Sequence, residues 1–516
     1  MRKVISGAMP PGLAAAIAMA LAVGLVATPA SAASAVGDPA HAAVTHDGET
    51  PADWAEVDDS VAAPARTLTA DLDANDKARV VTVKDVDGAP VITAANVKGR
   101  TQATAVVEQQ QAIDGAVAVA VQQKQRLVAG HPMRTTGSMR TSQTGRNVSS
   151  DPYSESQWAL RTLEAGPSWS LADGSGQTVA VIDTGVSREP DLAKNLLVGW
   201  DVIRGRSDGR DDQNGHGTHV AGVIAAASNN GIGGAGLAPR AKVLPVRALD
   251  AAGKGYWSDV ANGIVYAVNQ GAGVINLSIG GDTDDPSLRA AVNYALASGR
   301  VVVAAVGNEG TGALTYPAAY PGVIGVAATD RSDRVADFSN SGSAVDLAAP
   351  GVAIMSTVPG GFASYSGTSM ATPFVSATAA LLRSAAVARG LGRVDVLRAL
   401  QASAVDVDSP GVDSRSGAGR LSARNALCAA GACSYGLQAA ASMKKRKLTV
   451  RLNRETVQRV ILQRKVGKKW KQVSVRSTMA SGVAVFKVKK RVKAYRVVVP
   501  ATSETSAVVT RPLKVR

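Results

Sequence analysis

At 516 residues the chain is too long for one ordinary domain, so two or three units are expected. The net charge of +15 is unevenly spread: residues 441–516 hold 22 Lys and Arg against Glu455 and Glu504, a net of +20, so residues 1–440 carry −5. Only two Cys occur, with no third Cys or neighbouring His to complete a zinc site. Beyond the first 32 residues, no segment is expected to be apolar enough to span a membrane.

The first 32 residues have the pattern of a secretory signal peptide. Arg2 and Lys3 form a basic end, residues 13–27 are almost wholly apolar, and residues 30–32 (Ala-Ser-Ala) offer a cleavage site. A membrane anchor is the alternative, but the apolar run is short of the roughly 20 residues that a span needs, and small residues follow it at once. The pattern predicts a secreted, extracellular protein without a membrane span.

Residues 33–130 have the pattern of a small α/β unit. The predicted elements are strands at residues 78–83 and 89–93 around a turn at Asp87-Gly88, a helix at 101–113 and a strand at 116–121. Residues 131–150 are rich in Ser, Thr, Gly and Arg without an apolar period. They predict an exposed linker, where proteolytic nicking concentrates.

Residues 151–427 alternate strand and helix. Mostly apolar strands are predicted at residues 179–182, 242–247, 273–278, 301–306 and 323–328. Such alternation predicts a parallel sheet with helices on both faces, and an active site at the carboxyl ends of its strands. A helix is predicted at 286–297, with Asp285 as N-cap and Pro286 at the first position, and a longer helix at 368–386.

Three motifs in this unit carry an acid, a base and a nucleophile. They are Val-Ile-Asp-Thr-Gly around Asp183, Asn-Gly-His-Gly-Thr-His around His216, and Gly-Thr-Ser-Met-Ala-Thr-Pro around Ser369. A serine hydroxyl needs a base to become a nucleophile, and only His216 and His219 occur after position 131. The alternatives are a turn cap at Asp183, a helix cap at Ser369 and a two-histidine metal site, for which no third ligand fits the spacing.

The order Asp, His, Ser is that of subtilisin and not of chymotrypsin or the α/β-hydrolases. With these motifs, residues 151–426 resemble the subtilases, the subtilisin-like serine proteases of peptidase family S8. The resemblance implies a subtilisin-like α/β fold and a serine endopeptidase with Asp183, His216 and Ser369 as its triad, His216 being the base. It also implies that residues 33–130 are the enzyme's own inhibitory propeptide, with maturation within 131–150; a stable accessory domain is the alternative.

The same resemblance implies contacts for a peptide substrate. Asn308 matches the asparagine that donates to the oxyanion, and Thr315 aligns with the floor of the primary pocket, where many subtilases have glycine. That pocket is expected to be shallow and apolar, with Ile279 and Ala305 in its lining, and to prefer Leu or Met before the scissile bond. An extended protein or peptide substrate would pair on both sides, with partners at Ser278, Ile279 and Gly280 and at Gly253 and Gly255.

Residues 228–234 resemble the calcium loop of the family. The implied ligands are the side chain of Asn230, the backbone oxygens of Ser228, Ile232 and Gly234, and the carboxylates of Asp151 and Asp191. Hard oxygen ligands, six to eight in number, suit calcium. The alternative is an ordinary glycine-rich surface loop.

The C-terminal part is separate by composition. At the junction of residues 428–440, Cys428 and Cys433 either close a small disulfide loop or remain free thiols. Alternating runs at residues 448–452, 471–475 and 495–498 predict a sandwich-like all-β domain over 441–516, with one buried and one basic face. The basic face would bind a polyanion or cell surface or merely aid solubility, and nothing in it resembles a specific nucleic-acid motif.

Two other classes compete with a monomeric secreted endopeptidase. A catalytically dead relative acting as a surface-binding protein disagrees with the intact Asp183, His216, Ser369 and Asn308. An esterase or lipase disagrees with the order of the triad and with the missing nucleophile elbow.

Overall fold

The structure is a computed structural model, and it describes residues 58–127, 148–392, 394–433, 439–444, 447–452, 459–467, 469–479, 483–489, 494–499, 508–510 and 513–514. The predicted signal peptide, and residues 131–147 of the predicted linker with its maturation site, lie outside these ranges.

The N-terminal unit is a three-stranded antiparallel sheet with one main helix. After a 3-10 turn (Asp59–Val61), its elements are α1 (Ala65–Leu68), β1 (Lys77–Val86), β2 (Ala89–Lys98), α2 (Gly99–Gln111), β3 (Ala116–Gln123) and β4 (Gln125–Arg126). The sheet order is β2-β1-β3. Asp87 and Gly88 have φ of 54° and 78°, as a two-residue hairpin turn requires. The strands and α2 lie where the sequence predicts them, with longer strands and a helix that begins two residues earlier.

The central unit is an α/β domain built on one sheet of eight strands. Its elements are α3 (Trp158–Thr162), α4 (Ala165–Trp169), β5 (Thr178–Asp183), β6 (Trp200–Asp201), β7 (Arg206–Ser207), α5 (His216–Ala225), β8 (Lys242–Arg247), β9 (Lys254–Gly255), α6 (Trp257–Asn269), β10 (Val274–Leu277), α7 (Pro286–Ala297), β11 (Val301–Ala305), β12 (Ile324–Thr329), β13 (Leu347–Pro350), β14 (Ile354–Val358), β15 (Gly361–Tyr365), α8 (Thr368–Arg389), α9 (Val396–Gln401) and α10 (Ala423–Ala429). The sheet order is β13-β12-β11-β10-β5-β8-β6-β7, and all of these strands are parallel except β7, which pairs antiparallel with β6.

Helices cover both faces of this sheet, as the apolar strands predict. Val179 and Val181 of β5 share a core with α5 and α8, whereas Ala180 and Ile182 share one with α6 and α7. The second core also takes in apolar side chains of β1, β2 and β3, so the N-terminal sheet packs on α6 and α7. Successive residues of one strand thus point into opposite cores, which explains its unbroken apolar sequence.

The predicted N-cap of α7 is confirmed, and a proline inside α8 has its missing N–H compensated by another residue. Asp285 accepts hydrogen bonds from the N–H groups of Ser287 and Leu288 at 3.0 and 3.1 Å. Pro373 is the sixth residue of α8 and lies beyond its first turn. Having no N–H, it leaves the Ser369 carbonyl without its helical donor, and the hydroxyl of Ser278 donates to that oxygen at 2.9 Å.

One helix among the described residues, α8, is long and apolar enough to cross a membrane by length and composition, contrary to the expectation from the sequence. However, 83% of its most apolar window is buried inside the protein. It is the central helix of the core, and its small side chains let the sheet and α5 approach it closely.

The C-terminal unit consists of two antiparallel sheets. Its strands are β16 (Ala439–Lys444), β17 (Lys447–Leu452), β18 (Arg459–Val466), β19 (Lys469–Ser477), β20 (Val483–Lys487), β21 (Ala494–Val499), β22 (Val508–Val509) and β23 (Leu513–Lys514). Side chains of both sheets, among them Leu448, Phe486 and Val497, form one core. The predicted alternation holds for β17 and β21 but is wrong for β19, an edge strand with no buried residue. Ahead of this unit, Cys428 and Cys433 form a disulfide.

Candidate active site

The three motif residues and Asn308 come from strand ends and helix starts. Asp183 is the last residue of β5, His216 the first of α5 and Ser369 the second of α8. Asn308 follows β11, which is parallel to β5 in the same sheet and separated from it by β10. The carboxyl ends of parallel strands meet at one edge of a sheet, which is where ligands bind in such folds.

Asp183 and His216 form a buried pair. The Nδ1 atom of His216 lies 2.8 and 2.9 Å from the two carboxylate oxygens of Asp183, and both side chains are almost inaccessible. Burial alone would lower the pKa of His216, but the charge and hydrogen bonds of Asp183, helped by the charge of Asp212, raise it above its ordinary value. The imidazole is therefore a stronger base than a free one, and among the described residues its Nε2 has no hydrogen-bond partner.

Gly217 permits this approach. A Cβ atom at Gly217 would lie 2.1 Å from the carbonyl oxygen of Gly185 and 3.0 Å from the Cβ of Asp183. No other residue fits between the start of α5 and the end of β5, which explains the glycine after His216.

Asp212 is a second carboxylate at this site that the sequence analysis missed. Its Oδ1 accepts from Gly215 N at 2.8 Å and Thr184 Oγ1 at 2.9 Å, and its Oδ2 accepts from Thr218 N at 2.9 Å. It thus ties the residue after Asp183 to the first turn of α5. An acidic residue four positions before His216, ahead of a helix start, was the available signal.

Ser369 and Asn308 both bond to neighbours in the structure. The hydroxyl of Ser369 donates to the carbonyl oxygen of Ser278 at 2.9 Å and is not directed at His216. Asn308 Oδ1 accepts from Thr368 N at 2.7 Å and Thr368 Oγ1 at 2.9 Å. This orients the amide so that its Nδ2, which has no acceptor among the described residues, is available to another group.

His219 has a structural environment. It is fully buried, stacks on Tyr365 with ring centroids 4.4 Å apart, and its Nε2 lies 2.9 Å from the carbonyl oxygen of Ile354. Burial lowers the pKa of His219 to about 3, so the ring is neutral. No group of three or more His, Cys, Asp or Glu that could hold a metal occurs in the described part of the chain.

The segments predicted to hold a substrate instead hold part of the chain itself. Strand β4 pairs antiparallel with β9, so that Gln125 lies opposite Gly255. The N–H of Leu127 donates to Gly253 O at 3.1 Å, and its carbonyl accepts from Gly280 N at 2.8 Å. Leu127 is fully buried, near Trp257. Residues 125–127 therefore lie as an extended strand between the two segments.

Thr315 lies against Gly280. Thr315 is 7% exposed, and a Cβ atom at Gly280 would lie 2.5 Å from its methyl group. Ile279, which precedes Gly280, and Ala305 are both almost completely buried. Thr315 therefore places a methyl group against Gly280, where a glycine would leave space.

Three of the residues predicted to bind calcium, Asp151, Asp191 and Asn230, are linked by hydrogen bonds around one loop. The carboxylate of Asp151 accepts from the N–H groups of Asn229, Asn230 and Gly231 at 2.7, 2.8 and 3.0 Å. Asp191 accepts from Asn230 Nδ2 at 2.7 Å and Gly234 N at 3.2 Å. Burial, together with the charge of Asp151, raises the pKa of Asp191 to about 6, although the hydrogen bonds oppose this.

Several loop oxygens remain without donors. The carbonyl oxygens of Ser228, Ile232 and Gly234 accept no hydrogen bond from any described residue. Two carboxylates and three unpaired carbonyls around one loop are a donor set of hard oxygens, which suits calcium.

The central unit is similar to known proteins. The model of the subtilase family matches residues 174–419. Thermitase of Thermoactinomyces vulgaris is 52% identical over 237 residues, which are 45% of this chain and 85% of that protein. Subtilisin Savinase of Lederbergia lenta is 48% identical over 228 residues, 44% of this chain and 83% of that protein. A solved protease of Pseudoalteromonas arctica superposes with a TM-score of 0.51 at 33% identity, covering 55% of this chain and 99% of that one. The chain belongs to the subtilase family and is a subtilisin-type serine endopeptidase.

Proposed function

We propose that Asp183, His216 and Ser369 are the catalytic triad of this endopeptidase and that Asn308 donates to the oxyanion. The observation that carries the proposal is the buried contact of the Asp183 carboxylate with Nδ1 of His216, at 2.8 Å. This contact holds the ring in the tautomer whose Nε2 is free to accept a proton, and it stabilises the imidazolium that then forms.

The reaction begins when the Ser369 hydroxyl turns from Ser278 O towards Nε2 of His216. Nε2 takes the hydroxyl proton as Oγ attacks the peptide carbonyl, and the same proton passes to the leaving amine when the C–N bond breaks. Water then hydrolyses the acyl-enzyme by the reverse proton transfers. The oxyanion is stabilised by Asn308 Nδ2 and by the N–H of Ser369, which lies in the first turn of α8, where N–H groups lack helical acceptors.

Casein cleavage with and without a serine-directed inhibitor tests this proposal. The inhibitor should abolish cleavage and label Ser369, and pure Ser369→Ala protein should be inactive but folded. Unchanged casein cleavage by Ser369→Ala would overturn the assignment of the nucleophile.

We propose that the N-terminal unit is the propeptide. Arg79 pairs with Asp259 of α6 at 2.7 Å. Gln122 Oε1 accepts from Ser258 N at 3.0 Å and its Nε2 donates to Asp285 at 2.8 Å, so that one side chain bonds at the N-termini of both α6 and α7. With residues 125–127 between the substrate segments, this unit would inhibit the enzyme until it is cut away. If mature active enzyme retains residues 58–127, the unit is instead an accessory domain.

We propose that Asp151, Asp191 and Asn230, with the carbonyls of Ser228, Ile232 and Gly234, hold a structural calcium ion. The ion would contribute no step of catalysis. It would neutralise two nearby carboxylates and join the start of the central unit to the loop after α5.

We propose that the primary pocket is shallow, with a preference for medium apolar residues before the scissile bond. This rests on the place of Thr315 beside Gly280. A peptide panel that varies this one residue tests it: Thr315→Gly should deepen the pocket and raise relative cleavage after Phe and Tyr.

We propose secretion as a soluble monomer, with the basic C-terminal unit attaching the enzyme to a polyanionic surface. The exposed cations Lys469, Lys471 and Arg476 lie on β19, and no acidic side chain occurs among the described residues of 439–514. Truncation near residue 441 should spare peptide cleavage but remove salt-sensitive binding to a polyanion column. Equal retention of both proteins would contradict a binding role.

A further inference from the structure

Asn340 is a buried amide whose polar atoms are all engaged. It is 2% exposed and follows β12 in the chain. Its Oδ1 accepts from Glu309 N at 3.0 Å and from Thr311 N at 3.1 Å. Its Nδ2 donates to Glu309 Oε2 at 2.8 Å and to Thr315 Oγ1 at 3.2 Å. One side chain therefore connects the segment that carries Asn308 with the residue at the floor of the proposed pocket.

These contacts meet at Gly307. A Cβ atom at Gly307 would lie 2.4 Å from Asn340 Nδ2, 2.7 Å from Glu309 Oε2 and 2.9 Å from Thr315 Oγ1. The methyl of Thr315 faces Gly280 on its other side. The amide, the carboxylate and the hydroxyl thus form a connected polar group along the wall and floor of the pocket.

The Glu309 carboxylate is held by two donors on one oxygen. Oε2 accepts from Asn340 Nδ2 and also from its neighbour Asn308 N, each at 2.8 Å. A carboxylate fixed in this way has part of its charge offset, and it must break a hydrogen bond to a buried amide before it can turn to a cationic substrate side chain.

We propose that Asn340 is a specificity-determining positioning residue, which holds Glu309 against the loop so that the pocket favours apolar residues over Lys and Arg. The inference rests on the proposed primary pocket. Asn340 does not touch the reacting atoms; it acts through Glu309. Without the amide, the carboxylate gains freedom to pair with a cation before the scissile bond, and Thr315 loses its donor.

The test is a set of peptides that differ only in Lys, Leu or Phe before the scissile bond. It uses the mature enzyme, with active sites counted by a serine-directed inhibitor. Asn340→Ala should raise the Lys-to-Leu ratio of kcat/KM by about three- to tenfold, mainly through KM for the Lys peptide. Adding Glu309→Gln to Asn340→Ala should remove this gain, and raising the salt concentration should reduce it.

Ser339→Ala is the matched control. It tests whether a general loosening of the segment around Asn340 is enough to change the substrate preference. Ser339 is buried beside Asn340, and its hydroxyl accepts from Ala328 N at 3.1 Å without contacting Glu309. This variant should change kcat/KM for the Lys and Leu peptides equally. If Asn340→Ala fails to fold, Asn340→Ser, with a smaller change in polarity, should shift the ratio in the same direction.

Two outcomes separate this inference from the pocket assignment. The role of Asn340 is wrong if Thr315→Gly favours Phe as expected while both Asn340 variants leave the Lys-to-Leu ratio unchanged. It is also wrong if Glu309→Gln fails to cancel the rise in the Lys-to-Leu ratio caused by Asn340→Ala. If Thr315→Gly alters no preference, the pocket itself is misassigned and the inference is overturned with it.

Discussion

Ser278 and Ser369 exchange two hydrogen bonds: each hydroxyl donates to the other residue's carbonyl oxygen at 2.9 Å. The carbonyl of Ser369 needs this donor because Pro373 has no N–H. Ser278 Oγ in turn accepts from Asn276 Nδ2 at 2.9 Å. The proposed nucleophile is therefore positioned by the end of β10 as well as by its own helix.

Ser278→Ala should lower both stability and activity. The variant leaves the buried carbonyl of Ser369 without a donor, which costs about 1–3 kcal/mol, and it loosens the main chain that carries the proposed nucleophile. Thermal unfolding and kcat on a small peptide measure the two effects. Ser376→Ala is the control, since it removes a buried bond to Asn276 without touching Ser369. Equal loss of kcat in both variants would contradict a specific role for Ser278.

Asp183→Asn should move the pH dependence of activity. Asp183 raises the pKa of His216 against burial, so its neutralisation should lower that pKa, and the acid limb of kcat/KM should shift to lower pH. The rate on the plateau should fall by about 10⁴, because the ring loses its preferred tautomer. An acid limb that stays in place, or moves to higher pH, would contradict the pairing.

Asp212→Asn should also lower the pKa of His216, but by less than Asp183→Asn does. The charge of Asp212 also raises the pKa of His216, as the smallest of the effects that raise it. Its side chain caps α5 and does not touch the imidazole directly, so the rate should fall far less than in Asp183→Asn. The same pH–rate measurements distinguish the two variants. If Asp212→Asn shifts the acid limb more than Asp183→Asn does, Asp183 is not the carboxylate with the larger effect on the pKa of His216.

Asn308→Leu should reduce kcat by about 10²–10³ with little change in KM, as expected for a donor that acts mainly in the transition state. Thr368→Ala removes only the hydroxyl that orients the Asn308 amide and leaves the backbone donor. It should cause a smaller loss of kcat. A rise in KM at constant kcat would mean that Asn308 binds the ground state.

Chelation should destabilise the mature enzyme if calcium binds at the loop. A ligand that binds only the folded state adds about 3–4 kcal/mol at 100–1,000 times its dissociation constant. EDTA should therefore lower Tm, and Asp191→Asn should both lower Tm and reduce the response to EDTA. Superimposable melting curves with EDTA and with millimolar calcium would exclude the site.

Arg79→Ala in inactive Ser369→Ala precursor should weaken the hold of the N-terminal unit on α6. Arg79 pairs with Asp259 and lies over the ring of Tyr256, 3.9 Å from its centroid. Limited digestion by an added protease should then remove the N-terminal unit faster, whereas Arg66→Ala, at an exposed position of α1, should have little effect. Equal digestion rates for Arg79→Ala and the parent would contradict the assigned interface.

The sequence alone determined the elements whose signals are local. The cap and first turn of α7 lie at Asp285 and Pro286, and apolar runs mark β5 and β8, since capping and two-sided burial leave their mark on neighbouring residues. The motifs around Asp183 and His216 likewise indicated an acid and a base at strand and helix ends.

Only the tertiary structure decided which distant residues contact each other. Ser278 compensates for Pro373 across 95 positions, Asn340 meets Glu309 from 31 positions away, and residues 125–127 lie against β9. For the edge strand β19 the local pattern predicted a buried face that the strand lacks, because an alternating sequence does not show whether a neighbouring sheet covers the strand. Hydrogen bonds between distant segments depend on where the chain folds, and no local pattern records that.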